Sequence, residues 1–171
     1  WLASGADFFQ NAALAIEGSR SFVHLEIYIF RPDATGLRLL ELLVAARKRG
    51  VQVRVLYDSF GSFGLKARHL AALRAAGGKA EPFMPLLWKR RPFTVNLRSH
   101  RKIVVIDRHT GYIGSHNLAA KDFKVKERYA PWIDATMRVS GPAANDLQKI
   151  FVEDWYLETD EELWHLVGQG V

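Results

Sequence analysis

His100-Arg101-Lys102-Ile103-Val104-Val105-Ile106-Asp107, followed by Gly114-Ser115-His116-Asn117, is the stretch from which the rest of the chain is read. Side chains two apart on a strand share a face. A strand here projects His100 and Lys102 together and sends Arg101 the other way. Ile103 to Ile106 is a continuous apolar run, the pattern of a strand buried on both faces. Asp107 ends the run, Arg108-His109-Thr110-Gly111 reads as a turn, and a short strand at Tyr112-Ile113 returns the chain to Gly114. Such a hairpin brings Ser115 and Asn117 back toward the mouth of the His100 strand.

An imidazole, an ammonium and a small polar turn converging on one opening suit phosphodiester chemistry. A phosphodiester repels nucleophiles and has a poor leaving group. Its turnover needs a nucleophile, a proton donor and positive charge or hydrogen-bond donors on the non-bridging oxygens. The stretch supplies one plausible catalytic imidazole, where a complete scheme uses two.

The spacing resembles the signature of the phospholipase D superfamily, HxK(x)4D(x)6GSxN, at His100, Lys102, Asp107, Gly114, Ser115 and Asn117. These are six identities within eighteen residues. The flanks Asn96-Leu97-Arg98-Ser99, Pro131-Trp132-Ile133-Asp134, Gly141-Pro142 and Glu153-Asp154-Trp155-Tyr156 resemble bacterial cardiolipin synthases. The likeness runs over essentially all 171 residues, as the first of that family's two catalytic half-domains. It implies an α/β fold, a mixed sheet flanked by helices on both faces, and a single half-domain cut from a longer two-motif chain.

The resemblance also implies roles. His100 is the expected nucleophile, forming a phosphohistidine, with the two histidines' roles exchangeable. The partner half-domain, in the same chain or a homodimer, supplies the imidazole that protonates the departing alcohol. Lys102 and Asn117 contact phosphoryl oxygens, and Ser115 bonds phosphate or supports the turn. Asp134 holds the His100 ring in one tautomer. Asp107 completes the catalytic set and is expected to secure the strand end. Arg98, Glu26, Lys102 and Asn117 form the substrate-contact set. Donor and acceptor are both phosphatidylglycerol, glycerol leaves, and neither metal nor other cofactor is used. The implied setting is the bacterial cell membrane, with an anionic phospholipid as partner. The rival within the superfamily is a homodimeric nuclease or phosphodiesterase. The flanks argue against nucleic acid, as does the lack of regular interleaving of aromatic with basic residues. A catalytically silent anion-binding or membrane-docking module is the reading from outside enzymes.

Composition sets the outer bounds. A chain of 171 residues accommodates one domain with a full core, and 49% hydrophobic with 25% charged residues is ordinary for a globular protein. The absence of cysteine excludes disulfide scaffolds, thiolate zinc sites and cysteine nucleophiles, and the six histidines lack metal-site clustering. No apolar run reaches the eighteen or so residues that cross a bilayer. A start at Trp1 suggests an excised or processed piece, leaving room for an upstream membrane segment. The net charge of +6 is uneven, with no acid from Pro82 to Ile106 among Lys89, Arg90, Arg91, Arg98, Arg101 and Lys102. That field attracts anions.

In chain order, Gly5 to Glu17 reads as a helix capped by Ser4, with Phe9, Ala12, Ala13 and Ile16 inward. Phe22 to Phe30 reads as a strand with Val23, Leu25, Ile27 and Ile29 on one face and Phe22, His24, Glu26, Tyr28 and Phe30 on the other. Glu26 either packs near a solvated opening or points into a basic cavity to orient a catalytic cation. A helix over Leu37 to Arg49, stopped by Gly50, and a strand over Val51 to Tyr57 follow. The loop Asp58 to Gly64 lies at a strand's carboxyl end, where α/β sheets border ligand crevices. It is equally a plain loop. Leu65 to Ala76 reads as a helix and Lys79 to Phe83 as a short strand. Leu86, Leu87, Trp88 and Phe93 with Lys89 to Arg91 suit an anionic lipid surface, the domain core, or the cover of a partner half-domain. Leu118 to Arg128 reads as a loop or short helix, Ile133 to Val139 as a strand, and a helix opens at Gly141-Pro142. A short helix is possible in the tail.

Overall fold

The computed structural model describes residues 1–84, 98–119 and 134–168. The candidate lipid-contact stretch at Leu86 to Phe93 and the segment from Lys121 to Arg128 lie outside these residues. The strands are β1 (Phe22–Ile27), β2 (Gln52–Asp58), β3 (Lys79–Phe83), β4 (Lys102–Ile106), β5 (Thr110–Gly114) and β6 (Thr136–Ser140). They form one sheet in the order β3-β2-β1-β4-β5-β6. β1, β2 and β3 run parallel, and β4, β5 and β6 are each antiparallel to the strand before them in that order. The sheet is therefore mixed, as expected.

The helices α1 (Gly5–Glu17), α2 (Ala34–Lys48), α3 (Ala67–Ala75) and α4 (Pro142–Thr159) cover both faces. Phe8, Ile16, Leu39, Leu43, Leu70 and Leu73 pack with Val23, Leu25, Ile27, Val104 and Ile106 on one side. Leu147, Phe151, Val152 and Trp155 of α4 pack with Phe22, Leu56, Ile103 and Val105 on the other. β4 is thus buried on both faces. No described helix is long and apolar enough to cross a membrane.

Local chemistry explains the boundaries. Ser4 Oγ accepts from Asp7 N at 3.0 Å and starts α1 where the sequence placed it. Phe8 takes the core position on α1, and Phe9 is only half-buried. α2 begins earlier than Leu37, because Asp33 Oδ1 caps Gly36 N at 3.1 Å. β1 stops at Ile27 and does not run to Phe30. Beyond it, Phe30 bridges Leu118 and turns into the core beneath α1 and α2, the side opposite to the one alternation assigns it.

The turn after β4 is tighter than Arg108 to Gly111. Asp107 and Arg108 have φ of 52° and 63°, and His109 N donates to Ile106 O at 3.2 Å. That is the left-handed two-residue turn suited to the twist of a hairpin. Asp tolerates this conformation better than most residues. β5 is accordingly longer than the two residues expected.

A polar layer crosses the α4 side. His24 is sandwiched between Phe22 and Phe151, with ring centroids 4.4 and 4.5 Å away. Arg54 NH1 faces its Nε2 at 3.4 Å and Gln148 Oε1 lies 3.1 Å from its Nδ1. A guanidinium can only donate, so Nε2 is the acceptor and the ring is the neutral Nδ1–H tautomer. Burial, then the Arg54 charge, lower His24 from 6.5 to about 3. Arg54 continues to Glu161 at 2.8 Å, and Lys79 and Trp155 Nε1 each reach the same carboxylate at 2.9 Å. Partial burial pushes Glu161 up, but these donors outweigh it and bring it from 4.5 to about 2.

Both groups take protons more readily in the unfolded chain, from 6.5 downward for His24 and from 4.5 downward for Glu161. Their stabilisation is complete above those values and is lost as pH falls. Urea midpoints are expected to drop steeply below pH 4.5, where both act, with His24 alone contributing up to about 1.4 kcal/mol per pH unit. Glu161→Gln is expected to lower the midpoint at neutral pH and flatten the acid limb; an unchanged limb contradicts this account.

Candidate active site

His100 precedes β4 and Lys102 opens it. Arg101 points to the opposite side, where its guanidinium pairs with Asp154 of α4. The alternation read from the sequence therefore holds at this end of β4. The His100 ring stacks on Tyr28, with centroids 3.9 Å apart and planes inclined by 18°. Lys102 Nζ lies 5.5 Å from the Tyr28 ring and donates to the His100 carbonyl at 2.5 Å. Burial lowers the Lys102 pKa while the Asp134 carboxylate raises it. Imidazole and ammonium thus share one aromatic platform.

The platform is held from behind. Ser62 Oγ donates to Tyr28 O at 3.0 Å and accepts from Phe30 N at 2.9 Å. Asp58 Oδ1 accepts from Phe60 N at 2.9 Å and Gly61 N at 2.7 Å. A Cβ on Gly61 would stand 2.3 Å from Tyr28 O, so this glycine admits the close approach of the loop to the platform. The loop at 58–64 acts as a buttress.

The small polar turn works in the same way. Ser115 N donates to Ala135 O at 2.9 Å, and Ser115 Oγ accepts from Ala135 N at 2.9 Å. A Cβ on Gly114 would meet Ala135 O at 2.3 Å, which requires glycine at this crossing. Asn117 Oδ1 accepts from Ile29 N at 3.1 Å, tying the turn to the chain just beyond Tyr28. With its oxygen so engaged, Asn117 has its amide N–H groups to offer as donors. Asp134 sits beside this turn, and Oδ1 is buried without a hydrogen-bond partner among the described residues. Its charge acts on Lys102 and His116.

A match to the family model described as "Cardiolipin synthase, PLD-like domain" spans residues 14–155. The chain belongs to this family of PLD-like domains. It is 36% identical over 154 residues to the major cardiolipin synthase of Bacillus subtilis, covering 90% of this chain and 32% of that protein. Cardiolipin synthase A of Pseudomonas aeruginosa is 38% identical over 158 residues, covering 92% and 32%. This PLD-like domain therefore spans about a third of the length of these curated relatives. The fold matches a phospholipase D family member from Salmonella typhimurium with a TM-score of 0.60, 22% identity and 90% coverage of each chain. Phosphatidylserine synthase of Haemophilus influenzae aligns with a TM-score of 0.64 and 15% identity, over 92% of this chain and 36% of its own.

Within this PLD-like domain, His100 and Lys102 meet on Tyr28, Asn117 is tied to Ile29 next to it, and Asp134, beside the Ser115 turn, acts on Lys102, whereas the other three expected site residues are engaged as follows. Asp107 lies at the other end of β4, roughly 17 Å along the strand. Its carboxylate accepts from Arg20 N, Ser21 N and Phe22 N at 2.8, 2.8 and 2.9 Å. Arg98 is pinned, donating from NH1 to Asp58 Oδ2 at 2.9 Å in a pair whose side chains are 7% and 2% exposed. Glu26 pairs in register with Ile103, so it faces α4 and reaches the site only through Ser99, whose Oγ donates to it at 2.9 Å. His116, between Ser115 and Asn117, is buried, which lowers its pKa; it stacks on Phe8 and lies 2.8 Å from Thr136 Oγ1.

Tyr28 and Asp58 were not singled out by the sequence reading. Antiparallel pairing of Ile27 with Lys102 places Tyr28 beside the residues preceding β4, a signal visible only once the register is known.

Tyr28→Ala is expected to lower kcat by about 10- to 100-fold through loss of ring placement, while Tyr28→Phe keeps the stack and most of the rate. Equal losses in the two variants would point to the hydroxyl instead. Asp107→Ala is expected to destabilise by about 1–3 kcal/mol in urea titration, with turnover per folded molecule preserved.

Proposed function

We propose that this chain is one catalytic half-domain of a cardiolipin synthase-type phosphatidyltransferase that moves a phosphatidyl group between phosphatidylglycerol molecules at a bacterial membrane. The observation that carries this reading is the pairing of His100 and Lys102 on the Tyr28 platform, beside Asn117 and Asp134. Cardiolipin synthases that share more than a third of its residues supply the substrate class.

In the first step a His100 ring nitrogen attacks phosphorus. A phosphorus–nitrogen bond forms, the bond to the departing glycerol oxygen breaks, and that oxygen takes a proton from the imidazolium of a second half-domain. Lys102 and the Asn117 amide meet the non-bridging oxygens, where charge develops. In the second step the imidazole of that half-domain removes the proton from a hydroxyl of another phosphatidylglycerol. The resulting oxygen attacks phosphorus and expels His100. The stack on Tyr28 removes the rotational freedom that would otherwise oppose in-line attack.

His100→Ala is expected to reduce conversion of detergent-solubilised phosphatidylglycerol by about 10³-fold or more in the intact enzyme. An acid-labile phosphoryl adduct should disappear with it. Cleavage of DNA or of a bis-aryl phosphodiester in preference to phosphatidylglycerol conversion would move the assignment to a nuclease or phosphodiesterase, and wild-type turnover in the variant would end it.

A further inference from the structure

Behind the reactive end, on the α4 side of the sheet, lies a second set of ionisable groups that does not reach the site directly. Glu26 is 3% exposed and Asp154 is 8% exposed. Glu26 Oε1 accepts from Ser99 Oγ at 2.9 Å, whereas Oε2 is buried with no hydrogen-bond partner among the described residues. Asp154 Oδ2 accepts from Arg101 NH1, and Arg101 N faces Ser99 Oγ at 3.3 Å. Ser99 and Arg101 are the two neighbours of His100 in the chain.

The Arg101 guanidinium pairs with Asp154 alone and acts on Glu26 only through its charge, so one cation faces two buried carboxyl groups. If both were ionised the cluster would carry an excess negative charge away from water, which is costly. One proton on Glu26 removes that charge. It also turns the orphaned Oε2 into a donor, and Asp154, the carboxyl group that acts on Glu26, is the acceptor proposed for it.

We propose that Glu26 and Asp154 share one proton and, through Ser99 and Arg101, clamp the main chain on both sides of His100, making them positioning residues for the imidazole. This rests on His100 being the reacting ring. The electrostatics agree with the geometry: burial first, then the Asp154 charge, raise Glu26 from 4.5 to about 7, against the opposing influence of Ser99 and Arg101.

The other titratable groups nearby do not supply this proton. On β1 itself His24 is neutral, at about 3, and just beyond its end Tyr28, on the other side of the sheet, is raised above an ordinary phenol by burial. On β2 Arg54 is paired with Glu161 and Asp58 with Arg98. As pH rises through about 7 the shared proton leaves. Two carboxylates then repel across one guanidinium, and the clamp on residues 99–101 loosens.

Glu26→Gln keeps an acceptor for Ser99 and a fixed donor for Asp154, so it mimics the protonated state at every pH. In the intact enzyme, parent kcat is expected to fall by about tenfold relative to Glu26→Gln between about pH 6 and about pH 8. The folded pKa is raised, so the parent should also lose urea stability relative to Glu26→Gln as pH climbs from 4.5 to about 7, and no further above it.

Isotope-edited infrared spectroscopy of the glutamate carboxyls reads the proton without any substrate. A protonated carboxyl stretch at about pH 6 that is absent from Glu26→Gln and persists in His100→Ala is the expected result. Absence of that stretch from the parent, or superimposable pH profiles for parent and Glu26→Gln, would overturn the proposal. Because the spectrum does not depend on turnover, it stands apart from failure of the phosphatidyl-transfer reading.

Discussion

The burial of β4 on both faces is the constraint on which the other features depend. A strand packed between two helical layers has no freedom to choose which side chains go where. Val104 and Ile106 belong to one core and Ile103 and Val105 to the other. With those four placed, the residues leading into the strand are placed too. Lys102 and His100 emerge on the side of Tyr28, and Arg101 emerges on the side of α4. Hydrophobic burial in the middle of the strand thus sets the orientation of polar chemistry at its end.

That dependence explains how much was legible beforehand. The apolar run at Ile103 to Ile106 and the period-2 pattern around it were enough to separate His100 and Lys102 from Arg101. Helix α1 followed from Ser4 and its apolar spacing because capping is local. Features that depend on distant partners were not legible. Arg98 reads as a free cation in a basic stretch, yet Asp58, forty residues earlier, neutralises it. Glu26 belongs to the α4 side by simple alternation, but only the pairing of β1 with β4 shows that Ser99 and Asp154, not the ammonium, are its neighbours. Phe30 broke the pattern because the strand ended three residues earlier, after which alternation no longer applies.

The two sides of the sheet treat polar groups differently. On the His100 side, side chains are held by main-chain partners: Asn117 by Ile29, Ser115 by Ala135, and Lys102 by the His100 carbonyl. Rigid main-chain support leaves functional atoms available and costs little solvation. On the α4 side, polar groups are gathered into buried sets, one around His24, Arg54 and Glu161, and one that joins Glu26 to Ser99 and Asp154 to Arg101 and leaves Glu26 Oε2 without a partner among the described residues. Low local polarity strengthens such sets when complete and penalises them when a member is missing.

The three main-chain bonds to Asp107 have a consequence for how the chain finds this arrangement. A hairpin displaced by a single position still satisfies most of its ladder, yet it would present the imidazole to α4 and the guanidinium to the open side. Asp107 can engage the amides of residues 20–22 only when β1 and β4 are aligned as observed. A side chain at the far end of the strand from His100 thereby favours the observed pairing over a misaligned one, which gives a physical reason for an acid at a fixed distance from the histidine.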